Sequence, residues 1–156
     1  MIYLRLSFFV LLLLIGCSSK KDLLPEEFFG LILQKKLTGV EAKKFVDELH
    51  FQEVAPDQNE IGFYSSPIGS SIIYITYYRD EITALTEYEK MINKISPENS
   101  VFINPEIANI SGKDIYRCFG MGQSHYVFAY GKELYWISVD THFGKKFIEE
   151  YLEYIN

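Results

Sequence analysis

The chain has 156 residues, 23% of them charged, and a formal net charge of −6. That is one domain's worth of sequence, long enough to bury its own core. The acidic balance, without a basic stripe, argues against a nucleic-acid partner, whose phosphates need Lys and Arg. It argues equally against electrostatic attachment to anionic lipid.

The chain begins with one cation, Arg5, and a ten-residue run from Leu6 to Ile15 whose single polar member is Ser7. A helix needs about twenty apolar residues to cross a bilayer, so this run reads as the core of a signal peptide rather than a span. Leu14-Ile15-Gly16-Cys17 follows, with Ser18-Ser19 behind it. This stretch resembles the lipobox of bacterial lipoproteins. The resemblance implies a diacylglyceryl group on the Cys17 thiol, cleavage before Cys17, and acylation of the new amino group with a fatty acid such as palmitate. Two or three acyl chains are sufficient for stable anchoring. Residues 1–16 are then a lipoprotein signal peptide, 17–22 a lipidated tether, and 23–156 a single α+β domain. Losing residues 1–16 leaves 140 of the 156, and losing Arg5 takes the charge from −6 to −7. Ser18 does not match the Asp that retains enteric lipoproteins in the inner membrane. The implied address is the outer membrane in a two-membrane organism, and otherwise the outer face of the plasma membrane. With Cys17 consumed, Cys118 has no partner for an internal disulfide.

Beyond the tether, Pro25-Glu26-Glu27 suits a first helical turn and predicts a helix to about Lys36, weakened by Gly30. Thr38-Gly39-Val40-Glu41 reads as a capping box. It opens a second helix to His50, with Ala42, Phe45, Val46 and Leu49 on one face. Gln52 to Glu60 is a polar connection. Ile61–Ser65 and Ile72–Tyr78 read as strands around a turn at residues 66–69, the second apolar on both faces as a central strand would be. Asp80 caps a helix carrying Ala84, Leu85, Tyr88, Met91, Ile92 and Ile95, which Ser96-Pro97 stops. Val101–Asn104 is a short strand and Ser111–Asp114 a turn. Three strands follow, Ile115–Met121, Ser124–Tyr130 and Leu134–Asp140, joined at Gly122-Gln123 and Gly131-Lys132 by the glycine-first pattern of type II′ hairpins. Thr141 caps a last helix with a stripe of Phe143, Phe147, Ile148, Tyr151, Leu152 and Ile155. The expected architecture is an α+β antiparallel sheet with amphipathic helices packed mainly on one face. The aromatic share of 16% suits a sheet loaded with large side chains. Strand-then-helix occurs twice, at residues 72–95 and 134–155. That fits a duplicated unit, and equally the way any sheet-and-helix domain reads.

Hairpin register locates the chemistry. A Gly122-Gln123 loop pairs Gly120 with His125 and Cys118 with Val127, and a Gly131-Lys132 loop pairs Val127 with Trp136 and His125 with Ser138. Alternation then puts Cys118, His125, Val127, Trp136 and Ser138 on one face, with Cys118 and His125 as diagonal neighbours beside a bare Gly120. One reading is a thiol activated by an imidazole. The other is a buried cysteine packed as a small hydrophobe, with His125 hydrogen-bonded to Ser138 or backbone. Val127, Trp136 and Ser138 also fit a ligand platform, or a face that packs under helices. His50, His125 and His142 lack metal-ligand spacing. Residues 120–123 lack the lysine and strand-loop-helix setting of a phosphate loop. No cofactor is expected.

The helix, aromatic strands, hairpin and terminal helix together resemble small, uncharacterised bacterial lipoproteins, a resemblance that implies no activity. The leading expectation is a lipid-anchored, non-enzymatic accessory or binding module for an envelope protein or a small apolar ligand. Its partners would be membrane lipid through acylated Cys17 and one of those two, with no nucleic acid. The alternative is a thiol-dependent envelope enzyme or redox protein using Cys118 and His125. A third reading is a purely structural lipoprotein.

Overall fold

The computed structural model describes residues 21–50, 55–56, 58–95 and 101–156. The signal peptide, the lipobox and Cys17 lie outside the described residues, as do most of the tether, part of the 52–60 connection and the Ser96-Pro97 stop. The described residues form strands β1 (Glu27–Phe28), β2 (Leu31–Thr38), β3 (Asn59–Ser66), β4 (Gly69–Tyr77), β5 (Ile103–Ile110), β6 (Lys113–Gly120), β7 (Gln123–Tyr130) and β8 (Glu133–Asp140). The helices are α1 (Gly39–His50), α2 (Glu81–Lys94) and α3 (Gly144–Ile155). All eight strands lie in one antiparallel sheet, in the order β1-β2-β3-β4-β8-β7-β6-β5.

The fold is α+β, as its pattern of elements implies. The helix expected over residues 25–36 is instead the β1–β2 hairpin. Phe29 and Gly30 both have positive φ, 55° and 73°, and form the two-residue turn between paired Phe28 and Leu31. Glycine reaches that conformation without a Cβ clash. Beyond the turn, side chains alternate: Leu31 is buried, Ile32 exposed, Leu33 partly buried. Pairing with β3 overrides the helical signal of Pro25-Glu26-Glu27. The strand expected at 101–104 is the longer β5, bulged between Ile103 and Glu106. Asp80 caps α2 as expected, accepting the Thr83 backbone N–H at 2.8 Å and its hydroxyl at 2.7 Å. Thr141 does not cap α3. Its hydroxyl donates to the Gly122 carbonyl at 2.8 Å, and α3 starts later, behind Phe143, with no side-chain cap.

Two of the three helices share a face of the sheet. There α1 covers β2–β4 through Ala42, Phe45 and Val46 against Leu37, Ile61, Phe63, Ile72 and Tyr74. On the same side α2 covers β6–β8 through Tyr88, Met91, Ile92 and Ile95. Among the described residues helix α3 is the one helix on the other face, burying Phe147, Ile148, Tyr151, Leu152 and Ile155 against Ile73, Ile75, Tyr126, Phe128, Tyr135, Ile137 and Val139. The two helices of the shared face bury less than their periodicity suggests: Leu49 is 54% exposed and Leu85 49%. The strand-then-helix echo extends to the strands only. Strands β1–β4 and β5–β8 meet at the β4–β8 pair, so the strand order reads alike from either edge. A two-fold axis relating antiparallel neighbours stands normal to the sheet and would place α2 and α3 on one face, whereas they pack on opposite faces.

Candidate functional site

The β7–β8 register is the expected one, with Val127 opposite Trp136 and His125 opposite Ser138. The β6–β7 register is not. Gly120 pairs with Gln123, so the loop is Met121-Gly122, and Cys118 lies directly opposite His125 rather than diagonal to it. Met121 and Gly122 have φ of 53° and 79°, which makes the turn type I′ with glycine second. The slip is two residues in pairing, so the face assignment survives, and Cys118, His125, Val127, Trp136 and Ser138 do share one side of the sheet.

That side is covered. Cys118 and Val127 are wholly buried in the cluster beneath α2, with Trp136 partly buried beside them. His125 is 2% exposed and Ser138 5%. Gly120 is not bare, because Phe102 fills the space beside it. A Cβ on Gly120 would sit 2.8 Å from the Phe102 ring. The same ring meets His125 edge-on at 4.8 Å and Trp136 at 5.5 Å. No periodic signal marked Phe102 for this role; it comes from the connection leading into β5.

The polar groups here satisfy one another. His125 Nε2 lies 3.1 Å from the Gly120 carbonyl, which only accepts, so Nε2 carries the proton and donates. Nδ1 is then the acceptor, taking the Ser138 hydroxyl at 2.9 Å. Ser138 Oγ in turn accepts the Trp136 indole N–H at 3.0 Å. Burial lowers the imidazole's affinity for a second proton, against the contrary pull of the Gly120 carbonyl. The result is a neutral, two-point-anchored histidine. Ser138 donating to His125 is the hydrogen bond a nucleophilic serine would make, but Ser138 lies under Trp136 with almost no exposed surface.

Cys118 is poised against nucleophilic chemistry. Burial pushes its thiol up from 9.0 to about 11, which leaves roughly a hundred-fold less thiolate at neutral pH. Alkylation of the native protein by iodoacetamide is therefore expected to be at least about a hundred-fold slower than in urea, with shielding adding to the factor. Fast native labelling would restore the thiol to candidacy.

An open groove lies elsewhere on this face, between the C-terminal part of α1 and the C-terminal half of α2. Its volume is about 270 Å³, and Val46, His50, Thr76, Tyr78, Lys90, Met91 and Lys94 are among its lining residues. Val46 and Met91 supply apolar wall. His50 closes α1, its Nδ1 donating to the Val46 carbonyl at 2.8 Å, which leaves Nε2 to accept. Burial and the nearby Glu87 raise the Tyr78 phenol to about 12, so it stays protonated and available to donate. Lys90 is held by Glu87 at 2.7 Å. The combination is an apolar trough with a few orienting polar groups. Amphipathic spacing announced the two helices but not the gap between them.

His142 Nε2 donates to the Ile68 carbonyl at 3.0 Å. Among the described residues no three His, Cys, Asp or Glu side chains converge as metal ligands, and no helix is long and apolar enough to cross a membrane. Comparison with protein-family models, with curated proteins and with solved structures found no match.

Proposed function

We propose that this protein is a lipid-anchored, non-enzymatic binding module of the bacterial cell envelope, held through acylated Cys17. The observation that carries the binding part is the groove between α1 and α2, with its apolar walls and orienting His50 and Tyr78. Its ligand is a small, largely apolar molecule with one hydrogen-bonding end. The closed His125–Ser138–Trp136 network and the raised Cys118 thiol weigh against the thiol-enzyme reading.

Native mass spectrometry of protein extracted gently from its own membranes tests this. The expected spectrum shows the mature chain with acyl mass on Cys17 and a retained small molecule. Met91→Arg, which places a guanidinium on the groove wall, is expected to lose the small molecule and keep the acyl mass. A lone acylated chain from wild-type membranes would sink the ligand reading. A stoichiometric protein subunit in its place would move the binding role to an envelope partner.

A further inference from the structure

The first described residues are gripped by the domain rather than trailing from it. The Tyr151 hydroxyl donates to the Leu23 carbonyl at 2.8 Å, and the Tyr154 hydroxyl to the Asp22 carbonyl at 2.5 Å. Tyr64 holds the Pro25 carbonyl at 2.9 Å. The Lys21 ammonium donates to the Tyr154 carbonyl and lies 4.2 Å from that ring's centre. Asp22 pairs with Lys36 at 3.2 Å. Leu24 is 1% exposed.

These contacts fix where the chain leaves the fold. Lys36 lies near the end of β2 and Tyr154 near the end of α3. Strands β2 and β4 run the same way, each antiparallel to β3, so their ends lie at this pole with the starts of α1 and α2. Val40 and Ile82, in the first turns of those helices, are 82% and 79% exposed. Among the described residues they are the two most exposed of the large apolar side chains, and they stand on the pole from which the tether departs. The opposite pole carries the turns at Pro67-Ile68 and Met121-Gly122, where Ile68 is 56% and Met121 75% exposed, so apolar exposure alone does not choose between the poles.

From these placements we infer that the pole bearing Val40 and Ile82 rests on the lipid surface. The inference rests on acylation of Cys17. Lys21 is four residues along the chain from Cys17, with Ser18, Ser19 and Lys20 between them, and at roughly 3.3–3.6 Å per step they reach at most about 14 Å. A headgroup layer is roughly 5–8 Å deep per leaflet. With residues 21–25 held against β3, α3 and Lys36, the domain has little freedom to turn its other pole to the bilayer. Val40 and Ile82 enter the interface as apolar contacts. Exposed apolar side chains stand at both poles, so the geometry of the tether sets the orientation.

The test uses full-length, lipidated protein in phosphatidylcholine vesicles containing a headgroup-quencher lipid. Val40→Cys and Ile82→Cys carry a fluorophore on the tether pole, and Ile68→Cys and Met121→Cys carry it on the opposite one. Native Cys118 is buried and stays unlabelled. The expected result is several-fold stronger quenching at positions 40 and 82 than at 68 and 121. Equal quenching at both poles, or stronger quenching at 68 and 121, with acyl mass intact on Cys17, overturns the orientation and leaves the anchor standing. Absence of acyl mass and of co-flotation overturns the anchor, and the orientation with it.

Discussion

Above pH 10 the domain is expected to unfold and its buried tyrosines to ionise in one transition. The chain holds twelve tyrosines. Tyr64, Tyr135 and Tyr151 are 3%, 1% and 0% exposed, and burial raises the ionisation of each above its ordinary 10. A phenol that stays neutral in the folded state but ionises in the unfolded one stabilises the fold fully below pH 10. That contribution is lost as the pH climbs from 10 toward the folded value. Each such group removes about 1.4 kcal/mol per pH unit over that window, and three remove about 4 kcal/mol. A domain of roughly 8 kcal/mol then unfolds near pH 12. Tyrosinate absorbance and far-ultraviolet circular dichroism, followed on one sample, should move together for these residues. If all the phenols ionised near pH 10 while the dichroism held, the buried tyrosines would have to be wetter than their packing implies.

Strands β3, β4 and β6 to β8 and all three helices were legible from local chemistry because local chemistry decides them. Asp80 caps α2 by a hydrogen bond that residue type and position specify, and the α3 stripe repeats at the helical period until every member from Phe147 to Ile155 is buried. The failures share a cause: long-range pairing beat a local signal. Pro25-Glu26-Glu27 suits a helix, but Leu31–Thr38 has β3 to pair with, and a two-residue turn at Phe29-Gly30 is the shortest route into that register. Thr141 had two acceptable roles and took the one that ties it to Gly122 across the sheet.

The candidate face was legible for the same reason that the register was not. Alternation has a period of two, so an error of two residues in the β6–β7 pairing left every side chain on its correct side. What alternation could not reveal was the cover. Phe102 falls in the strand expected at residues 101–104, but it precedes β5 and reaches His125 from the connection instead. The groove was hidden in the same way, since its width depends on how far apart α1 and α2 settle on the sheet, a tertiary quantity.

Tyr151→Ala is expected to destabilise the domain by about 3–5 kcal/mol, a large share of the roughly 5–15 kcal/mol typical of a domain. Among the described residues α3 is the one helix on its face of the sheet, so no neighbouring described helix can settle into the space. The Tyr151 ring meets Phe28 edge-on at 5.5 Å and Tyr135 at 6.2 Å, contacts that truncation removes together with the buried area. Tyr151→Phe isolates the remaining part. It keeps the ring and deletes the donor to Leu23, leaving a part-buried carbonyl unsatisfied at a cost of about 1–2 kcal/mol. Urea unfolding of both variants separates packing from grip: a large Ala effect with a small Phe effect assigns the stability to the core. Equal losses would assign it to the hydroxyl and make the hold on residues 22–25 a main support of the fold. On either result Tyr151→Phe should loosen Leu23, and the quenching contrast between the two poles should narrow in that variant while the fold persists.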